Sequence, residues 1–188
     1  MYSKKIRLKS AICLNGHVLN SDLKLDSLPE YKFCPKCGAE VIDSCPECNS
    51  FILGGILFQE KSVSGFIIGR KTGVEDCTVT HYNDKEIVAN NELPYYCSEC
   101  GKTYPWTINF LKNYNTILEM QSEEIDSNLK NCIYATTENL LKDGFSKDSQ
   151  HAIMLKLSLN KLSLITKEIL IGAISSFGGE AIKTFLFK

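Results

Sequence analysis

The sequence predicts an α+β protein in which a cysteine-rich β half precedes an all-α half. Two observations predict this. Three C-x-x-C pairs and one C-x-x-x-H stand before Trp106, among short apolar runs punctuated by Gly, Asn and Pro. After Trp106 the apolar residues recur at helical spacing instead. At 188 residues the chain has room for one compact domain or two small ones, and 44% apolar content is ordinary for a globular protein. Its opening, Met1 to Lys9, is charged and leads into no apolar stretch of signal-peptide length, so a cytoplasmic location is expected.

Nine cysteines in a chain of that location do not read as a disulfide framework. Their spacing gives another reason for them. Cys13 and His17 form the C-x-x-x-H, and Cys34/Cys37, Cys45/Cys48 and Cys97/Cys100 form the C-x-x-C pairs. Two residues separated by two others can both reach one ion from a tight turn, and a tetrahedral zinc site needs four such ligands. Gly38 and Gly101 directly follow the second cysteine of their pairs, where a left-handed backbone lets amide hydrogens turn back toward sulfur. Asn49 follows Cys48 and tolerates the same conformation, while Pro35 and Pro46 pre-set their turns. Cys77 and Cys132 fall outside this scheme.

Eight ligands make two closed sites, so two Zn²⁺ ions per chain are expected. Consecutive pairing places Cys13, His17, Cys34 and Cys37 on one ion and Cys45, Cys48, Cys97 and Cys100 on the other. Residues 18 to 33 then form the first hairpin and residues 38 to 44 a linker between two ribbons. Interleaved pairing stays open at this level, because sequence alone does not fix partners. The expected fold class is thus a tandem (double) zinc ribbon over residues 1–105, with a small antiparallel β insert, followed by a helical domain over 106–188. In the insert, the run from Phe51 to Phe58 is interrupted by Gly54-Gly55; short strands are expected at Val63–Ile68, Thr78–Tyr82 and Lys85–Ala89, with Gly65, Gly69, Gly73, Asn83-Asp84 and Asn90-Asn91 as breaks.

The runs Ile12 to Val18, Lys32 to Ala39, Cys45 to Cys48 and Pro94 to Thr107 together resemble a bacterial zinc-ribbon family known as domain of unknown function 2321. The stretch from Cys97 into Tyr104-Pro105-Trp106-Thr107 is the most specific part, since generic ribbons do not continue that way. The resemblance implies zinc binding at the eight positions and a bacterial or phage-related source. It implies no activity.

In the helical half, Thr107 is expected to cap a helix whose face holds Phe110, Leu111, Tyr114, Ile117 and Leu118. Ser122 is expected to cap a second, with Glu123, Glu124 and Asp126 at its positive end and Ile125, Leu129, Cys132, Ile133, Thr136 and Leu140 on its apolar face. Cys132 therefore reads as core. Asp143-Gly144 ends that helix, Ser146 starts the next, and Gly178-Gly179 breaks or bends the last. Ile169 to Gly179 is uncharged but far short of the roughly 20 residues that span a bilayer.

Catalysis is not expected. A catalytic zinc keeps a coordination position for water or substrate, and eight ligands fill two sites completely. No phosphate-cradling loop, nucleophile elbow or H-E-x-x-H occurs, and His81 and His151 carry no partner motif. The formal charge of −1 becomes about −4 with a Cys₃His–Zn²⁺ site contributing −1 and a Cys₄–Zn²⁺ site −2. That weighs against broad charge-driven nucleic-acid binding. The expected function is a non-catalytic zinc-binding interaction module, an adaptor or subunit of a bacterial protein assembly, with protein partners or a second copy meeting the apolar C-terminal helices. Two alternatives stand beside it. One is a nucleic-acid-binding ribbon protein using Tyr95, Tyr96, Tyr104 and Trp106 as stacking faces, although Trp106 packing inside the protein is the plainer reading. The other is an effector whose C-terminal helix lies on a membrane.

Overall fold

The computed structural model describes residues 4–70, 73–121 and 125–187. The chain divides into two compact units, Met1–Tyr104 and Pro105–Lys188. The first is an antiparallel sheet and the second is helical.

The sheet is built around strand β1, Lys4–Cys13. Its last six residues, from Leu8 to Cys13, are buried on both faces, as befits a strand with neighbours on either side. Strand β2, Val18–Leu23, folds back on it through the Cys13–His17 turn, with Ile12 opposite Val18. On the other edge β4, Leu53–Arg70, pairs with β1 from Lys4 to Lys9, and β3, Val41–Ile42, takes up that edge at Ile12 and Cys13. The expected first hairpin over residues 18–33 is therefore replaced by a tighter one that begins in β1. The expected 38–44 linker contains a sheet strand. A strand over Lys4–Cys13 was not legible, because its first half is charged and exposed.

The insert is longer and more regular than its sequence suggests. β4 and β5, Gly73–Val88, form one antiparallel hairpin, running from Ile56 opposite Val88 to Arg70 opposite Gly73. Gly65 and Gly69 lie within the ladder rather than ending it. Asn83-Asp84 is absorbed by a bulge, since Phe58 faces Glu86 while the next residue, Gln59, faces Asp84, leaving Lys85 as the extra residue. Gly54-Gly55 is a crossing point. A Cβ on Gly54 would sit 2.5 Å from the Ser21 carbonyl oxygen and 2.8 Å from that of Lys9, and one on Gly55 would collide with the carbonyl of Val88. Only glycine lets three backbones approach so closely.

In the helical unit α1 spans Pro105–Met120, α2 Ser127–Lys142, α3 Gln150–Leu159 and α4 Leu164–Phe187. α1 starts at Pro105 rather than after Thr107, with proline in the first turn where its missing N–H costs nothing. Its expected face points inward: Tyr114 and Leu118 are buried and Phe110, Leu111 and Ile117 half-buried. Ser122, Glu123 and Glu124 lie outside the described residues. The cap of α2 is Asp126, whose carboxylate accepts from the amides of Asn128 at 2.8 Å and Leu129 at 3.0 Å. Asp143-Gly144 does end α2, with Gly144 and Phe145 both left-handed at φ 63° and 56°. α3 begins after Ser149, three residues beyond the expected Ser146; the Ser149 hydroxyl accepts from the Ala152 amide at 3.1 Å. An unexpected break separates α3 from α4, where the amide of Thr166 donates to the Ser163 hydroxyl at 3.3 Å. Gly179, at φ 79° and ψ 177°, bends α4 at the expected dipeptide. Phe177, just before that bend, stacks on Phe110 of α1 with ring centres 4.4 Å apart. Among the described residues no helix is long and apolar enough to cross a membrane.

Candidate metal centres

Three of the four cysteine turns share one backbone design. In each, the first cysteine's amide donates to the carbonyl five residues on: Cys34 to Ala39, Cys45 to Ser50 and Cys97 to Lys102, all at 2.8 Å. The residue after the second cysteine returns the bond, with Gly38 donating to the carbonyl of Cys34 at 2.8 Å and Asn49 and Gly101 to those of Cys45 and Cys97 at 2.9 Å. Closing that loop needs a left-handed residue, and Gly38, Asn49 and Gly101 have φ of 71°, 58° and 69°. Single bridges flank the turns, Phe33 with Glu40, Ser44 with Phe51 and Tyr96 with Thr103, so each turn is the tip of a minimal hairpin. The fourth turn closes β1 onto β2; there the amide of Cys13 donates to the His17 carbonyl at 3.1 Å, and the amide of His17 donates to the Cys13 sulfur at 3.3 Å.

These tips bring the eight side chains together in two groups, Cys13, His17, Cys34 and Cys37, and Cys45, Cys48, Cys97 and Cys100. Within each group the ligand atoms lie within 4.8 Å of one another. The separations suit a metal ion. A tetrahedron with metal–sulfur bonds of about 2.3 Å has sulfur–sulfur edges of about 3.8 Å, and about 3.6 Å where a nitrogen replaces one sulfur. Cys13 and Cys37 stand 3.8 Å apart, Cys45 and Cys100 3.8 Å, and Cys48 and Cys97 3.7 Å. His17 offers Nδ1, at 3.5 Å from Cys13 and 3.6 Å from Cys34. The grouping is the consecutive one. Two groups of four ligands thus fit two metal ions.

Neighbouring donors favour the ionised sulfur at Cys37 and Cys48, whereas burial raises the Cys13 thiol, and at Cys100 the Lys102 amide is outweighed by burial and the neighbouring cysteines, which raise the thiol. The amide of Ala39, followed by the Asn15 side chain, holds the Cys37 thiol down at about 6. Asn15 Nδ2 donates to Cys37 at 3.5 Å. In the second group the Ser50 hydroxyl and amide lower the Cys48 thiol, and the same hydroxyl stands 3.0 Å from Cys48 and 3.2 Å from Cys97. In every pair the first cysteine is buried and the second exposed. Neither Asn15 nor Ser50 was singled out from sequence, although both lie at a turn's shoulder, where a side-chain donor can reach sulfur.

Other expectations fare differently. Cys132 is exposed, not core: the buried stripe of α2 runs through Ile133, Thr136, Thr137, Leu140 and Leu141, and Cys132 sits one step off it. The side chain of Cys77 lies outside those described; its backbone pairs with Phe66. His151 does have a partner, Asp143, at 2.7 Å, and the pair lies where the end of α2 meets the start of α3. Of the four aromatics considered as stacking faces, Tyr104 and Trp106 are buried and Tyr95 and Tyr96 half-buried. Among curated proteins and solved structures nothing matches the chain. The chain belongs to the family described as an uncharacterized protein conserved in bacteria (DUF2321), whose model matches residues 6–74 and, through the helical half, 71–185.

Proposed function

We propose that the protein is a non-catalytic zinc protein whose N-terminal unit is a tandem zinc ribbon and whose role is to hold a protein-interaction surface. The observation that carries this reading is the pair of four-ligand groups with edges of zinc length. Borderline-soft Zn²⁺ suits both Cys₃His and Cys₄ sets, and thiolate ligands call for a reducing compartment such as the cytoplasm. Four protein ligands on each ion leave no position for water or substrate, which supports a structural role over a catalytic one. Elemental analysis of the intact chain tests the reading, with two zinc ions expected per chain. One ion, or iron in zinc's place, refutes it, as does loss of an equivalent when Cys77 and Cys132 are both replaced by Ser.

The interaction role draws on the helical unit. Ile153, Met154 and Leu157 of α3 and Leu164, Ile165 and Ile169 of α4 are all exposed, at 43–72%. So many large apolar groups exposed on two helices favour a protein partner or a second copy. Affinity capture from a bacterial host with the parent chain and with a Leu157→Glu/Ile165→Glu variant tests this; a partner retained equally by both refutes it. Nucleic-acid binding is disfavoured by the burial of Tyr104 and Trp106.

A further inference from the structure

An open cavity of about 400 Å³ lies in the first unit beside the second ligand group. It falls within the range of small-ligand sites. Its apolar wall is Leu8, Leu25, Phe51 and Leu53; Leu8 is fully buried, and the other three are 39–45% exposed. Such half-exposed side chains gain from an apolar guest that removes them from water. Asn49 and Ser50, from the shoulder of the Cys45–Cys48 turn, and Glu99, from within the Cys97–Cys100 turn, complete the wall on the metal side.

Two charged groups face this hollow. Arg7 is exposed on β1, and no ion pair among the described residues involves it or Glu99. The nearby Lys9 is different: its ammonium is buried against the Asp43 carboxylate at 2.6 Å, and it also lies 5.0 Å from the Phe51 ring centre. Arg7 is therefore the cation left for a guest. A planar guanidinium recognises a carboxylate through two parallel hydrogen bonds, which an ammonium cannot do.

We infer that this cavity binds an apolar side chain with an adjoining carboxylate, the apolar part against Leu25 and Phe51 and the carboxylate on Arg7. Both a free apolar amino acid and the C-terminal residue of a peptide have this chemistry. Glu99 separates them, because a free amino acid carries an ammonium for it and a peptide end carries an amide. The inference rests on the zinc reading in one respect, that the two turns forming one wall are held by the second ion.

The test uses the intact zinc-loaded chain and follows the backbone amide resonances of Leu25, Ser50 and Phe51 during titration with N-acetyl-leucine, N-acetyl-leucinamide and leucine. N-acetyl-leucine should shift these resonances and bind at least about tenfold more tightly than the neutral amide, since hydrogen bonds to charged groups are the stronger ones. Arg7→Gln should erase that difference, and Leu25→Ala should weaken both ligands. Tighter binding of leucine than of N-acetyl-leucine, with the gain lost in Glu99→Gln, assigns a free amino acid; the reverse order assigns a peptide end. Equal binding of the acid and its neutral amide overturns the inference, as does the absence of shifts at these residues. Zinc content is read separately by elemental analysis, so two zinc ions with no binding defeats this inference alone, and no zinc defeats the reading beneath it.

Discussion

Replacing Gly38 by Ala isolates the contribution of turn geometry to metal binding. Gly38 stands at φ 71°, and a Cβ placed there would meet nothing within 4 Å, so packing adds no cost and only the backbone conformation does. A left-handed residue bearing a Cβ costs roughly 1–2 kcal/mol, a factor of about 5–30 in an equilibrium constant. Because ligand turns of this kind form together with metal binding, that cost should appear in the affinity of the ion held by Cys34 and Cys37. Gly101→Ala, at φ 69° and with equal space, should do the same to the other ion. Asn49→Gly should bind as tightly as the parent or slightly more so, since Asn49 holds φ 58° with a side chain. Gly172→Ala supplies the control: it lies within α4 and also meets nothing, so it should stabilise the helical unit by up to about 1 kcal/mol and leave metal affinity unchanged. Competition against a chromophoric chelator resolves the two ions. If Gly38→Ala retains parental affinity, or loosens the Cys45 group instead, the turns do not carry the conformational load assigned to them.

Gly54→Ala drives a methyl to 2.5 Å from a backbone oxygen and should lower the thermal stability of the sheet unit by about 1–3 kcal/mol or more, read by calorimetry; an unchanged transition would refute the crossing. Asp43→Ala should cost about 3–5 kcal/mol, because Lys9 is left buried and unpaired, whereas Lys9→Met combined with Asp43→Leu should recover most of the loss in denaturant titration. The His151 contact holds the Asp143 carboxyl below its ordinary value, so its contribution to the helical unit is present above the usual carboxylate range and is lost as pH falls through the lowered value. Asp143→Asn should make acid unfolding of that unit less steep, as followed by circular dichroism.

The ligand groups were legible because their information is local. A turn that seats two cysteines is specified by four to six consecutive residues, and Gly38, Asn49 and Gly101 announce the left-handed step. Pairing between strands is not local. Gly65, Gly69 and Asn83-Asp84 look like breaks when each strand is read alone, yet β4 and β5 support each other across them, and one bulge absorbs the misfit. β1 hid for a related reason, since its burial comes from β2 on one side and β3 and β4 on the other, partners that its own charged start does not announce. Cys132 was misplaced by a single helical step, enough to swing a side chain from inside to outside. The break between α3 and α4 uses Asn160 and Ser163, without glycine or proline to mark it.

The two ligand groups enclose unequal lengths of chain. His17 and Cys34 are 17 positions apart, whereas Cys48 and Cys97 are 49 apart with the whole β4–β5 hairpin between them. For a flexible chain, closing the longer loop costs about 1 kcal/mol more in entropy than closing the shorter one. The hairpin removes that difference once formed, because pairing Ile56 with Val88 already brings the loop's ends near each other. An ion held by Cys45, Cys48, Cys97 and Cys100 would therefore tie together the two ends of the chain that the hairpin has already brought near, and act as a clasp on its base.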